Sequence, residues 1–404
     1  MALDIARVRA EFPALADGFA YFDNAGGSLV LKPVAERIAE YLLTTSVQTG
    51  ASYSHSQRAS ARVHEARTAI ARFMNAQRPE EIVLGASATM MMRTLAQAMA
   101  SQFQPGDEII VTNFDHETNI GPWLTLKERG VVFKFWEINR ETITIDLADL
   151  EALLGPKTKL VCVTHVSNIL GSINPIRAIA DKVHAAGAKL VVDGVAYAPH
   201  RAVDVQALDV DYYVFSFYKT YGPHFAVLYG RYDLLRELDN LYHYFYDKDK
   251  VPAKLEPGNT NYELAWGSAG IVDYFDELGG GSGDHAAIAR AFEDVAAHEA
   301  LIGERLLDYL RGKNGVRIIG DRGSDKATRV PTISFKADGR DSAAIVRALD
   351  DKQIGIRFGD FHSRRLVEAL GLSDGNGVVR ISMVHYNTPE EVDRVIAALD
   401  EALG

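Results

Sequence analysis

Short apolar runs rich in β-branched residues recur through the middle of the chain, at 81–84, 108–112, 131–138, 159–164, 189–192, 212–217 and 225–229. Each is too short for a core helix and has the composition of a buried strand. Stretches with helical spacing lie between most of them, such as 90–100 and 175–186. The second, IRAIADKVHAAG, ends on Gly187, a residue suited to closing a helix. Strands alternating with helices predict an α/β fold, with a mostly parallel seven-stranded sheet covered on both faces. The link from 212–217 to 225–229 is short and contains Gly222-Pro223, which allows one antiparallel strand. Beyond about residue 265 the pattern changes. A helical stretch runs from 261 towards 278, the segment LGGGSGD makes a flexible break, and another helix runs to about 311. Strand-like pieces at 331–335, 354–358 and 378–383 then mix with helices at 342–351 and 389–403. This predicts a smaller α+β domain, with a helix at about 4–11 packing on it. The expected division is 15–265 for the large domain, and 1–14 with 266–404 for the small one.

In an open α/β sheet, functional groups collect outside the carboxyl ends of the strands. The 189–192 strand ends at Asp193-Gly194, and the 212–217 strand ends at Tyr218-Lys219. One crossover separates them, so the strands run parallel and expose their ends on one edge. Alone, Asp193 reads as a turn former and Lys219 as a solvated lysine. Together they place an amine and a carboxylate in one cleft. Such a lysine can form a Schiff base with an aldehyde cofactor. Such a carboxylate keeps a pyridine nitrogen protonated, so that the ring accepts electrons from Cα. Ser87, Ala88 and Thr89 open the helix after the 81–84 strand. Free N–H groups and hydroxyls there suit a phosphate, and they equally suit an ordinary helix cap.

Taken in order, several motifs resemble the class V aminotransferase and cysteine desulfurase family of fold-type I pyridoxal 5′-phosphate (PLP) enzymes. They are Tyr21-Phe-Asp-Asn-Ala-Gly26, Pro105-Gly-Asp-Glu-Ile-Ile110, Asp115-His-Glu-Thr-Asn119 with Pro122-Trp123, and Thr164-His-Val-Ser-Asn-Ile-Leu-Gly171. They continue with Val192-Asp-Gly194, Ala198-Pro-His200, Ser216-Phe-Tyr-Lys219 with Tyr221-Gly-Pro223, and Arg380 with Tyr386-Asn-Thr388. The resemblance implies Lys219 as the Schiff-base lysine and Asp193 as partner of the pyridine nitrogen. His116 would stack on the ring. Asn168 would sit by the phenolic oxygen, and it equally fits a turn before Gly171. Thr89 and Ser216 would bind phosphate. Asn259 and Thr260, in Glu256-Pro-Gly-Asn-Thr-Asn261, match a loop that crosses to the partner subunit, which implies a homodimer; a plain helix-start turn fits them too. Arg380 would grip the substrate carboxylate, against the alternative of a small-domain ion pair. Arg357 and Asn24 are further substrate-binding candidates.

The departures matter. The desulfurase nucleophile's place, after Arg357-Phe-Gly, falls at about His362. Imidazole cannot hold a persulfide. The only cysteine, Cys162, lies within the apolar 159–164 strand. The family's glutamine after the strand-end aspartate is Ala196, and Asn168 or His200 is expected to replace its hydrogen bond. The histidine before the lysine is Tyr218. The expectation is therefore β-elimination of a C–S or similar bond, with Lys219 taking the Cα proton and His362 protonating the leaving group. Transamination or epimerisation is the alternative, and a non-catalytic binding protein the remote one. The aromatic run 241–246 reads as a pocket wall or a dimer contact.

Composition narrows the setting. Of 404 residues, 43 are Lys or Arg and 54 are Asp or Glu, a net charge of −11 without a basic block. That disfavours nucleic acid and anionic membranes as partners. One cysteine rules out an intramolecular disulfide or a cysteine metal cluster, and no metal is expected. The first 15 residues do not read as a leader peptide, and no run approaches the length of a membrane span. A cytoplasmic enzyme acting on a small amino acid is the expectation.

Overall fold

A computed structural model describes residues 3–404. The seven sequence runs form one sheet of β1 (Ile82–Gly85), β2 (Glu108–Thr112), β3 (Val132–Trp136), β4 (Thr158–Thr164), β5 (Lys189–Asp193), β6 (Tyr212–Ser216) and β7 (Ala226–Gly230). Their spatial order is β1-β7-β6-β5-β4-β2-β3. The pairs β6–β7 and β1–β7 are antiparallel and the other four are parallel, so β7 alone is reversed. Helices cover both faces, which buries every residue of β6 and β7. A fully buried aliphatic side chain contributes roughly 1.5–3 kcal/mol, so the strand tips rest on a rigid base.

Register puts those tips side by side. Thr164 of β4 pairs with Asp193 of β5, and Asp193 pairs with Val214 of β6. Ser216 pairs with Ala226, which pairs with Gly85 at the end of β1. Residues 87–89 therefore emerge beside Ser216. A single 3₁₀ turn, Phe217–Lys219, carries the chain from Ser216 to the lysine.

The smaller sheet has β8 (Val316–Ile319), β9 (Thr332–Ala337), β10 (Arg357–Gly359) and β11 (Val378–Ser382), all antiparallel in the order β10-β11-β9-β8. Helices His285–Gly312 and Pro389–Leu403 pack against it. The N-terminal helix Ile5–Ala10 is tied to this part of the chain. Arg9 donates to the Tyr386 carbonyl (2.7 Å) and pairs with Glu391 (2.8 Å). The segment expected as one helix at 342–351 is a helix Ser342–Arg347 followed by a 3₁₀ turn Asp350–Lys352.

Two helices, Lys32–Thr44 and Ser54–Phe73, and the strand β8 were not evident in the apolar pattern. The second helix buries mostly small residues, among them Ser56, Ala59, Ala66 and Ala71. Its inward stripe therefore carries little hydrophobic signal. No helix among the described residues is long and apolar enough to cross a membrane.

Gly194 follows Asp193 where only a glycine fits, because a Cβ there would lie 2.0–2.2 Å from ring atoms of Tyr213. Tyr213 is fully buried and its hydroxyl is 2.9 Å from His165 Nδ1, so the ring has nowhere to move. Gly194→Ala should cost about 1–3 kcal/mol of stability, read as a lowered thermal midpoint. An unchanged midpoint would show that this strand end is looser than described.

Candidate active site

The strand ends line a cavity whose walls are Ser87, Ala88, Thr89, His116, Thr118, Thr164, Asn168, Asp193, Ala196, Ser216, Tyr218 and Lys219, with Val166 and Val195. It opens past Thr89, His116, Thr118 and Tyr218 into a wider outer cleft that includes His362. Lys219, Asp193, His116, Ser87, Ala88, Thr89, Asn168 and Ser216 are thus gathered on one wall system.

Lys219 is 7% exposed, and its amine makes no hydrogen bond or ion pair among the described residues. Burial and the nearby Arg380 guanidinium push its pKa down to about 8, although Asp193 and Asp23 oppose the shift. Asp193 is also buried. One of its oxygens accepts from the Val195 N–H (2.9 Å), and no described group bonds the other. Burial pushes its pKa up to about 6, against the pull of that N–H and of Lys219. Desolvation wins at both groups, so each is more easily neutralised than in water.

At the opposite side, Ser87 caps the helix Ala88–Met99 and accepts from the Met90 N–H (3.2 Å). The Ala88 N–H donates to Ser216 Oγ (3.3 Å), and the Thr89 and Thr118 hydroxyls lie 2.9 Å apart. Capping and anion binding are therefore compatible here: hydroxyls and a helix N-terminus face the same space.

His116 Nδ1 accepts from the Thr118 N–H (3.1 Å), which leaves the ring proton on Nε2. Burial first, then the charge on Lys219, pushes its pKa down to about 3. The His362 ring centroid is 5.4 Å from that of His116. The His362 carbonyl accepts from the Glu117 N–H (2.8 Å), which fixes it across the mouth. Phe361 and His362 both adopt left-handed backbone conformations, with φ of 51° and 59°.

Several expected residues lie elsewhere. Arg380 is not on the cavity wall. It is 2% exposed beside the cavity, donating to Asp23 Oδ1 (2.8 Å) and the Asn168 carbonyl (3.1 Å). Arg357 is half-exposed, 3.5 Å from Asp23 Oδ2. Asn24 is spent on the fold: its amide faces the Tyr21 and Ser382 carbonyls and Asn387, and its oxygen accepts from the Tyr386 hydroxyl. These four partners tie Asn24 into the fold. Asn259 and Thr260 precede the helix Tyr262–Leu278, away from the cavity of this chain; Thr260 Oγ1 is buried without a partner. The aromatic run 241–246 lines neither space, and Tyr244 and Phe245 are exposed.

Of the two expected substitutes for the missing glutamine, Asn168 lines the cavity and His200 does not. Asn168 donates to the Phe361 carbonyl (3.0 Å) and accepts from Ser363 (2.7 Å), so it clasps the loop at 361–363. His200 Nδ1 faces Glu299 (2.8 Å), not the cavity. Ala196 leaves that wall apolar. Asp23 and Phe361 were missed. Asp23 sits in the Tyr21–Gly26 motif one residue before Asn24, and the Phe361 ring lies 3.7 Å under the Arg380 guanidinium. Among the described residues no cluster of three or more His, Cys, Asp or Glu could hold a metal.

The profile of the family described as Aminotransferase class-V matches residues 20–395. The "Aminotransferase-like protein FGM3" of Gibberella zeae is 46% identical, over 99% of this chain and 98% of that protein. The "Cysteine desulfurase-like protein ustD" of Aspergillus flavus is 35% identical, over 99% and 90% respectively. The apo structure of a cysteine desulfurase from Thermococcus onnurineus superposes with a TM-score of 0.89 at 28% identity, covering 100% of this chain and 98% of that one.

The His116 shift has a sign that can be checked. Its folded value lies below the free value of 6.5, so the stability it contributes is present above 6.5 and is lost as pH falls towards 3. NMR of labelled histidine should show His116 neutral, with its proton on Nε2, well below 6.5. Titration at or above 6.5 would contradict the burial described.

Proposed function

The chain belongs to the class-V aminotransferase family, and from that premise we propose that it is a β-eliminating lyase acting on an amino acid with a C–S or similar bond at Cβ. Members of this family are PLP-dependent enzymes, and PLP is the cofactor. The residues present fit it. A buried, unbonded amine, a buried carboxylate with a free oxygen, and a hydroxyl-lined helix N-terminus share one cavity. When bound, PLP supplies an aldehyde that condenses with amines and a pyridinium ring that draws electrons from Cα.

Lys219 would hold the aldehyde carbon, and Asp193 the ring nitrogen with its proton. Ser87, Thr89 and Ser216, with the helix N–H groups, would hold the phosphate. Neutral His116 can lie against the ring face without adding charge. Lys219, with its pKa lowered to about 8, can take a proton from Cα once its amine is free. Arg380 would bind the α-carboxylate. His362, in the outer cleft with its ring 5.4 Å from that of His116, would give a proton to the leaving sulfur. We place Asn259 and Thr260 in the partner subunit's site of a homodimer.

The observation that carries elimination over persulfide formation is the chemistry of the two candidate sulfur acceptors. His362 occupies the mouth, and imidazole cannot carry sulfane sulfur. Cys162 is fully buried in β4, and burial pushes its thiol well above the usual range.

Lys219→Ala should lose the visible absorbance of the bound aldehyde and turnover together. An assay across amino acids should give pyruvate or another elimination product, with no persulfide on the protein. Keto-acid formation coupled to an amino acceptor, or persulfide build-up, would overturn the lyase reading. His362→Asn should lower kcat by roughly 10²–10⁴-fold with little change in KM. Unchanged kcat would remove His362 from the chemistry.

A further inference from the structure

Arg380 poses a problem of access. Resting on the reading that it binds the α-carboxylate, a substrate has to reach a guanidinium that is 2% exposed. The Phe361 ring covers one face at 3.7 Å. One terminal nitrogen donates to the Asn168 carbonyl (3.1 Å), the other to Asp23 Oδ1 (2.8 Å). Nε is buried without a partner. Asp23 is the one carboxylate on this guanidinium, and it stands where an incoming carboxylate would bind.

Asp23 is built to leave. Its side chain is 33% exposed, and its second oxygen lies 3.5 Å from Arg357, whose side chain is 57% exposed. Two guanidinium groups therefore share one carboxylate, a local charge of +1. A substrate carboxylate would balance it, with each arginine then holding one anion. Gly26 gives the aspartate its room: a Cβ there would lie 2.8 Å and 3.0 Å from its two oxygens. The trio also acts on the cavity. Asp23 favours a charge on Lys219, while Arg380 and Arg357 oppose it.

We propose that Asp23 is an internal stand-in for the substrate carboxylate, which holds Arg380 until substrate binds and then swings to Arg357. Arg357 is thus a positioning residue that receives the displaced aspartate, not a substrate ligand. The exchange makes a carboxylate on the ligand a condition for reaching Arg380, because a neutral group cannot displace a buried charge-assisted hydrogen bond.

The test compares two probes on PLP-loaded protein, 2-methylalanine and isopropylamine, which differ in the carboxylate and lack a leaving group at Cβ. Dissociation constants are read by calorimetry and by the change in visible absorbance. Asp23→Asn should tighten 2-methylalanine by roughly three- to tenfold, the scale of one exchanged hydrogen bond, and leave isopropylamine unchanged. Arg357→Ala should weaken 2-methylalanine by a similar factor, and add nothing in the Asp23→Asn background. Gly26→Ala, whose methyl would crowd both Asp23 oxygens and so loosen the carboxylate from both arginines by a side-chain shift, should tighten 2-methylalanine as well. It keeps the test open if Asp23→Asn fails to fold. If Asp23→Asn or Gly26→Ala moves both probes alike, or leaves 2-methylalanine unchanged or weaker, Asp23 is a plain structural partner and the proposal fails. Arg380→Ala should erase the preference for 2-methylalanine over isopropylamine. If the preference persists, the carboxylate reading of Arg380 fails, and the stand-in role with it.

Discussion

An amine and a carboxylate buried in one small space, without a hydrogen bond between them, are the constraint around which this structure is organised. Burying either charge alone costs several kcal/mol. Lys219 and Asp193 feel each other's charge, yet desolvation dominates at both, moving the lysine down and the aspartate up. A fold keeps such a pair only where something bound between them uses both. The parallel register of β4, β5 and β6 places the two groups at one edge, and β1 with its reversed neighbour β7 brings the helix N-terminus beside them. Three requirements of one phosphorylated aromatic aldehyde are met by topology before any loop is considered.

The loop at 360–363 forms the rim above that shared base. Asn168 clasps it from β4's end, the Glu117 N–H holds the His362 carbonyl, and Arg365 pairs with Glu117 at 2.9 Å. Left-handed backbone at Phe361 and His362 is a cost that these contacts offset. The loop thus sits as a fixed rim, with an imidazole at the mouth and a phenyl face under Arg380. Such a rim is what the proposed elimination asks of His362. Carrying sulfur to an acceptor would ask the loop to move and to hold a thiolate.

Much of this was legible in the sequence because buried parallel strands announce themselves. All seven large-sheet runs fell within a residue or two of the observed strands, and the lone reversed strand followed from the short Gly222-Pro223 link. Strand-end residues Asp193 and Lys219 could be placed on one edge by topology, whereas Ser216 and the helix start at Ser87, Ala88 and Thr89 joined them through the family resemblance. What stayed hidden depended on side-chain direction. Asn24 shares a motif with Asp23, yet one is consumed by four backbone and side-chain partners and the other faces two arginines. Asn168 and His200 read alike as replacements for the absent glutamine, yet Asn168 lines the cavity and bonds Ser363 while His200 faces Glu299. Helix Ser54–Phe73 was silent because alanine and serine, not leucine, fill its buried stripe.

The most direct test of the central claim is a crystal structure of the PLP-loaded protein. The account predicts continuous density from Lys219 Nζ to the aldehyde carbon, the ring nitrogen beside the free oxygen of Asp193, and the phosphate at residues 87–89 and Ser216. A cofactor lodged in the outer cleft, or joined to another lysine, would contradict it.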